Sequence, residues 1–304
     1  MKFNTVIKSS STFLLSSLIT LSALANRTII DDQSVEVTIP DAPKKILVVS
    51  EIDLDAMYAL GMKPYGTTNG RGQNVPSRYL ENYNNDLVIV GNFYQPDAEK
   101  ILQVEPDLIL AGGVPIPPVM AKLRQLAPTV ATYSLGESWK VSFKKIANVL
   151  DKQAEHKAFM QKYDARVADI KNRLSEKNIE TISIVRWNPK GPAYMLNQAF
   201  AVTILEELGL NRPKAQHQDG QAHSQPLSFE NLHLIDADYL FIGTLDNHGE
   251  SVDAMLDGFK SPAFMQLNAV KNKKALAVDG SVWTSLGGPI GAMQILDFIE
   301  LNLL

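Results

Sequence analysis

Arg186 stands directly after Thr181-Ile182-Ser183-Ile184-Val185, a β-branched run with the pattern of a strand buried on both faces. Open α/β sheets gather ligands at the carboxyl ends of their strands, and a guanidinium placed there offers a planar fork of donors to carboxylate oxygens. Arg71, in the loop Thr67-Thr68-Asn69-Gly70-Arg71-Gly72, follows the corresponding strand of the first half and is the candidate to face Arg186 across a cleft. Arg78 is a reserve for the same task. Trp187, Tyr194, Trp283, Tyr94 and Trp139 are candidates for the apolar walls that small-molecule sites carry. Each type also has an ordinary use: an arginine in a surface ion pair, an aromatic in the core.

Other chemistries find little support. His217 and His223 lie in a Gln-rich loop over residues 214–225, with His233 and His248 further on, and no HExxH or tight His/Asp cluster accompanies them. That pattern reads as a solvated loop. There is no G-x-S-x-G elbow, and Gly70-Arg71-Gly72 and Gly112-Gly113 lack a phosphate-loop pattern. The absence of cysteine excludes disulfides, thiolate metal sites, a cysteine nucleophile and a cysteine-linked lipid. With 29 basic and 33 acidic residues the chain is net acidic, whereas a nucleic-acid partner calls for a basic surface. A length of 304 residues, 45% hydrophobic and 20% charged, suits a soluble globular protein large enough for two lobes.

The elements that would position the arginines follow from periodicity. Residues 1–25 read as a secretory signal peptide: Lys2 and Lys8, an apolar stretch from Phe13 to Leu21, then Ala23-Leu24-Ala25 as the cleavage site. The apolar stretch is short of the roughly 20 residues that span a bilayer. Export to a Gram-negative periplasm, cleavage near Ala25 and no direct membrane anchor are the expectations.

Lys45-Ile46-Leu47-Val48-Val49 predicts a buried strand, Asp53 to Leu60 a helix ending at Gly61, and Leu87–Val90 and Leu108–Leu110 strands flanking a helix over Asp97–Val104. The second half repeats this grammar: a strand at 181–185, a helix from Phe200 to Leu208 ending at Gly209, and a segment Glu230 to Ile242 that echoes Glu99 to Ala111. A Gly- and Pro-free stretch from about Ser142 to Leu174 predicts one long helix, with Phe159, Tyr163, Val167, Ile170 and Leu174 on a single face. The fold class is therefore α/β, two similar lobes with mainly parallel sheets joined by a helical spine. The lobes are bounded at 26–150 and 176–304, with the connecting helix at 151–175. A spine of this kind permits only limited closure.

Residue detail adds a resemblance. Gly91-Asn92-Phe93, Gln95-Pro96-Asp97-Ala98-Glu99 and Pro106-Asp107-Leu108-Ile109-Leu110 resemble the first-lobe signature of the periplasmic binding proteins of iron–siderophore and cobalamin ABC importers. Val185-Arg186-Trp187, Leu208-Gly209-Leu210-Asn211-Arg212-Pro213, Ser261-Pro262-Ala263-Phe264, Leu267 to Asn272, Val278-Asp279, Trp283 and Gly287-Gly288 are similar to the ferric-siderophore branch. The resemblance implies a monomeric, non-enzymatic receptor with a helical backbone. It would hold an anionic ferric siderophore, of carboxylate or citrate/hydroxamate type, between its lobes. The resemblance implies no intrinsic cofactor, iron(III) travelling inside the ligand, and an inner-membrane ABC permease that meets Glu99 and Glu230, one on each lobe. The alternatives are the same scaffold loaded with haem, cobalamin or another metal chelate, and an exported hydrolase with His223 or His248 as base.

Overall fold

The computed structural model describes residues 25–84 and 86–304, so the signal-peptide reading lies, but for Ala25, outside the described residues. An antiparallel hairpin, Asn26–Ile30 with Glu36–Pro40, leads into the first lobe. The lobe's sheet has six strands in the order Gln95–Pro96, Val88–Asn92, Gly66–Asn69, Ile46–Val48, Leu108–Leu110, Thr129–Val130. All neighbours run parallel except the short Gln95–Pro96 edge. The second sheet has four strands, in the order Gly191–Tyr194, Ile182–Asn188, Tyr239–Gly243, Ala275–Ala277, parallel except for the Gly191–Tyr194 hairpin arm. The lobes thus share a mixed, mostly parallel design with unequal strand numbers. Ile46, Leu47 and Val48 are all buried, as a strand covered on both faces requires.

Each sheet separates two cores. Leu47, Val49, Ile109 and Ile101 pack on the outer face of the first sheet, and Val185, Trp187, Leu240 and Ile242 on the outer face of the second. A third, larger core runs between the lobes, from Ile46, Val48 and Met57 through Phe143 and Tyr163 to Ile184, Phe241 and Ile295.

The predicted 142–174 helix is two helices. Trp139–Val149 ends in a Schellman turn: Lys152 N–H donates to Ala147 C=O at 2.8 Å, with Asp151 left-handed at φ 55°. Aspartate is among the few non-glycine residues that visit this region readily, so the break leaves no Gly or Pro in the sequence. Gln153–Leu174 then folds back on its predecessor, with Phe159 on Phe143 at 5.3 Å and Tyr163 on Trp139 at 4.9 Å between ring centroids. This second helix, 22 residues or roughly 33 Å long, is the spine. Tyr163 Oη donates to Glu207 of the second lobe at 3.0 Å, and Arg166 pairs with Asp297 and Glu300 on the C-terminal helix Pro289–Leu303.

Polar links lock the lobes further. Asp55, on the first lobe's helix Glu51–Ala59, accepts from Gly288 N (3.0 Å), Ile290 N (2.6 Å) and Gly291 N (3.1 Å) at the start of the C-terminal helix, and from Tyr79 Oη (2.9 Å). Three otherwise orphaned helix donors are thereby satisfied across the lobe boundary. Arg78 pairs with Asp279 and donates to Leu245 O at 3.0 Å, so this reserve candidate acts as a cross-lobe tie. The spine helix Gln153–Leu174 itself contains no glycine.

Candidate functional site

Between the lobes lies a cleft of about 590 Å³, within the range of small-molecule sites. Its rim and floor come from segments following strand carboxyl ends in both sheets: Arg71 after Gly66–Asn69, Tyr133 after Thr129–Val130, Arg186 near the end of Ile182–Asn188, and Leu245 after Tyr239–Gly243. Ile52, Trp139, Met195, Phe200 and Leu286 complete an apolar wall, and Gln198 and Gln221 add amides from the second lobe.

Strand alternation decides what Ile182–Asn188 presents. Ile182 and Ile184 face the inter-lobe core, while Val185 and Trp187 face the outer core. Arg186 shares the side of Ile184 but lies past the end of that core, and so emerges in the cleft. Among the described residues its side chain makes no hydrogen bond and no ion pair. Burial pushes its guanidinium below the ordinary value, and Asp246 opposes the shift through space. It remains charged at any ordinary pH. The protein thus holds a partly dehydrated, unpartnered cation at a concave surface.

Arg71 is held differently. Its backbone N–H donates to Glu51 Oε2 at 3.2 Å, Nε lies 3.6 Å from Glu51 Oε1, and the guanidinium covers the Phe93 ring at 4.2 Å. Nε and Nη2 are buried without a hydrogen-bond partner, so donor capacity is left over in a group that lines the cleft.

The floor is stiffened by a buried network. Asp53 accepts from Gly112 N (2.8 Å), Thr132 Oγ1 (2.5 Å) and Ser50 Oγ (3.0 Å), and Tyr133 Oη donates to Ser50 Oγ at 3.0 Å. One carboxylate therefore stitches the carboxyl ends of three neighbouring strands. Burial raises its pKa to about 6 against the pull of these hydrogen bonds. Burial and the nearby Asp53 push the Tyr133 phenol upward, so it stays a neutral donor.

Of the aromatic candidates, Tyr94, 51% exposed, and Trp139 line the cleft. Trp187 does not: it is 1% exposed and stands edge-on to Phe259 and Phe264. A residue next to Arg186 on a strand must face the opposite side of the sheet. Tyr194 is buried in the same outer core, with its hydroxyl accepting from Gln218 Nε2 at 2.6 Å. Trp283, 3% exposed, packs against Phe241 and Phe298 in the inter-lobe core, although Thr284 to Gly287, which follow it, do line the cleft. These three are core residues in position.

The sequence reading passed over Tyr133, Phe200 and Gln221. Tyr133 follows a strand end just as Arg71 does, so the same rule, applied to the short Thr129–Val130 strand, points to it. Gln221 comes from the Gln-rich loop, and its side chain crowds Gly136 of the other lobe so closely that a Cβ there would meet Nε2 at 2.1 Å.

Glu99 and Glu230 are both exposed and, among the described residues, neither carboxylate has an ion pair. Asp97 caps the Ala98–Val104 helix that carries Glu99, accepting from Glu99 N at 3.0 Å. Glu230 lies on a 3₁₀ helix, Phe229–Ile235, where the echo of the first lobe predicted an α-helix. Phe, Asn and His replace the stronger helix formers of 98–104, and Ser228 supplies no side-chain cap. His217, His233 and His248 are exposed, and His223 meets the Ser224 carbonyl at 2.8 Å. Among the described residues no group of three His, Asp or Glu side chains could hold a metal ion, and no helix is long and apolar enough to cross a membrane.

Comparison with known proteins gives a consistent result. A family model described as periplasmic binding protein matches residues 46–281. The chain is 31% identical over 287 residues to the probable siderophore-binding lipoprotein YfiY of Bacillus subtilis, covering 92% of this chain and 88% of that protein. It is 28% identical over 266 residues to the Fe(3+)-citrate-binding protein YfmC of the same organism, covering 86% and 81%. The crystal structure of Staphylococcus aureus SirA complexed with staphyloferrin B superposes with a TM-score of 0.77 at 25% identity, covering 91% of this chain and 98% of that one.

Proposed function

Because the chain belongs to the periplasmic binding protein family, we propose that it is a receptor that captures a ferric siderophore between its lobes and delivers it to an inner-membrane ABC permease. The observation that carries the ligand class is Arg186: a partly dehydrated guanidinium with no partner among the described residues, at the edge of an apolar cleft that Arg71 also lines. Anionic oxygens of a ferric chelate, carboxylate or citrate/hydroxamate in type, supply the acceptors both arginines lack. Tyr94, Trp139 and Tyr133 give the chelate's apolar framework a surface. Trp187, Tyr194 and Trp283 support the site from the cores.

On this reading the protein binds and does not catalyse, and iron(III) enters and leaves inside its chelator. Glu99 and Glu230 are exposed acids without an ion pair among the described residues, at positions that echo each other in the two halves of the sequence, and are suited to basic groups of the permease. The chain acts as a monomer in the periplasm. Its lack of cysteine supports a diffusing form, in contrast to the lipoprotein relative.

The test is a titration of residues 26–304 with ferric hydroxamate, citrate-type and catecholate chelates, their iron-free forms, haem and cobalamin, followed by tryptophan fluorescence. Trp139, though 5% exposed, lines the cleft and is the reporter there; Trp187 and Trp283 do not line it. Saturable quenching by a ferric chelate at micromolar concentration or below is expected. Binding of haem or cobalamin alone would replace the cargo, and silence from folded protein across the panel would remove the reading.

A further inference from the structure

Two arginines suggest a strongly positive cleft, but their charges are not equally available. Glu51 begins the Glu51–Ala59 helix with its side chain only 4% exposed. Oε2 accepts from Ser77 Oγ at 2.8 Å and from Arg71 N at 3.2 Å, while Oε1 has no hydrogen bond and lies 3.6 Å from Arg71 Nε. Arg71 is the one ion-pair partner of this buried carboxylate among the described residues, so each charge offsets the other. With Phe93 against the guanidinium at 4.2 Å, Arg71 is clamped and its charge is matched one for one.

Glu137, the carboxylate that lines the cleft, is paired with Lys145, which also holds Asp32. Of the charged residues lining the cleft, Arg186 is the one with no ion-pair partner among the described residues, with Asp246 acting on it only from further away.

We infer that Glu51 is a positioning residue that fixes Arg71 as a charge-compensated donor. Arg186 then supplies the one unpaired positive charge among the described residues lining the cleft, and the cleft prefers ferric chelates of low net negative charge over multiply anionic ones. This rests on the siderophore reading above and narrows its ligand class.

The experiment uses three iron(III) complexes of comparable size: a neutral tris-hydroxamate, a complex of two hydroxamates and one α-hydroxycarboxylate, which is monoanionic, and a trianionic tris-catecholate. Wild-type protein, Glu51→Gln and Glu51→Asp are titrated with each. Wild type should favour the monoanion over the trianion by about tenfold or more. Glu51→Gln keeps an acceptor for Ser77 and Arg71 N but removes the charge, and should move that ratio toward the trianion by roughly tenfold, about 1.4 kcal/mol. Glu51→Asp, which retains the charge, should keep the wild-type order.

If Glu51 were only structural, the affinities of Glu51→Gln would fall together with the ratio unchanged, and the inference would be overturned. A wild type that prefers the trianion overturns it without any variant. A wild type that binds none of the three, although folded, defeats the siderophore reading itself.

Discussion

Replacing Arg186 with alanine separates a ligand-binding arginine from a structural one, because the two roles predict opposite effects on the free protein. Among the described residues the side chain has no hydrogen bond or ion pair, and burial lowers its pKa with only partial relief from Asp246. The free protein therefore already bears the cost of stripping water from this cation. A ligand carboxylate gains charge-assisted hydrogen bonds worth about 1.5–3 kcal/mol, toward the upper end when both arms of the fork engage. Arg186→Ala should weaken an anionic ferric chelate by about 2–3 kcal/mol, roughly 30- to 160-fold in Kd. The melting temperature of the ligand-free variant should stay level or rise, since an unpaired, partly buried charge is gone. Arg186→Lys should recover part of the affinity, keeping the charge and losing the fork. Calorimetric titration and a thermal melt of the free proteins give both numbers. Affinity within threefold of wild type would take Arg186 out of the site. A fall of several degrees in the melt would show that the guanidinium holds the fold together, and the premise of an idle cation would be wrong.

Three further outcomes follow. Gly258→Ala places a Cβ 2.1 Å from Trp187 Cζ2 in the outer core, so denaturant unfolding should show a loss of about 1–3 kcal/mol; unchanged chelate affinity per folded molecule would support Trp187 as core, and a selective loss of affinity would return it to the site. Asp55, raised to about 6 mainly by burial, binds its proton more tightly folded than unfolded, so its contribution to stability should fall as pH rises from about 4 to about 6. The stability gap between wild type and Asp55→Asn should narrow over that interval, and a gap that widens contradicts the sign. Finally, Glu99→Ala with Glu230→Ala should abolish iron uptake in cells and leave chelate affinity in solution unchanged; normal uptake would remove both from the docking surface.

How much of this was legible in the sequence depended on whether the deciding interaction was local. Buried parallel strands announce themselves as β-branched runs, and the residue that ends such a run, Arg186, could be placed at the cleft without knowing any neighbour. Pairing partners were not legible: nothing near Arg71 in the chain tells that Glu51, 20 residues earlier, faces it, or that Arg78 reaches Asp279, 201 residues later. Helix continuity failed at Asp151 because a Schellman turn closed by an aspartate breaks a helix without the usual glycine.

The aromatics carry a sharper lesson. Reading Arg186 and Trp187 as companions in one site contradicts the period of a strand, which puts consecutive side chains on opposite faces. Since Arg186 has no acceptor in either core, it must be the one that turns to the cleft, and Trp187 must then fill the outer core. A turn in the other lobe, between the strands Val88–Asn92 and Gln95–Pro96, splits an adjacent pair in a similar way. Phe93 is buried beneath the Arg71 guanidinium while its exposed neighbour Tyr94 lines the cleft. In both lobes one member of an adjacent pair faces the cleft and the fold consumes the other, so a cleft aromatic is better sought one residue away from a buried one than beside a cleft arginine on the same strand.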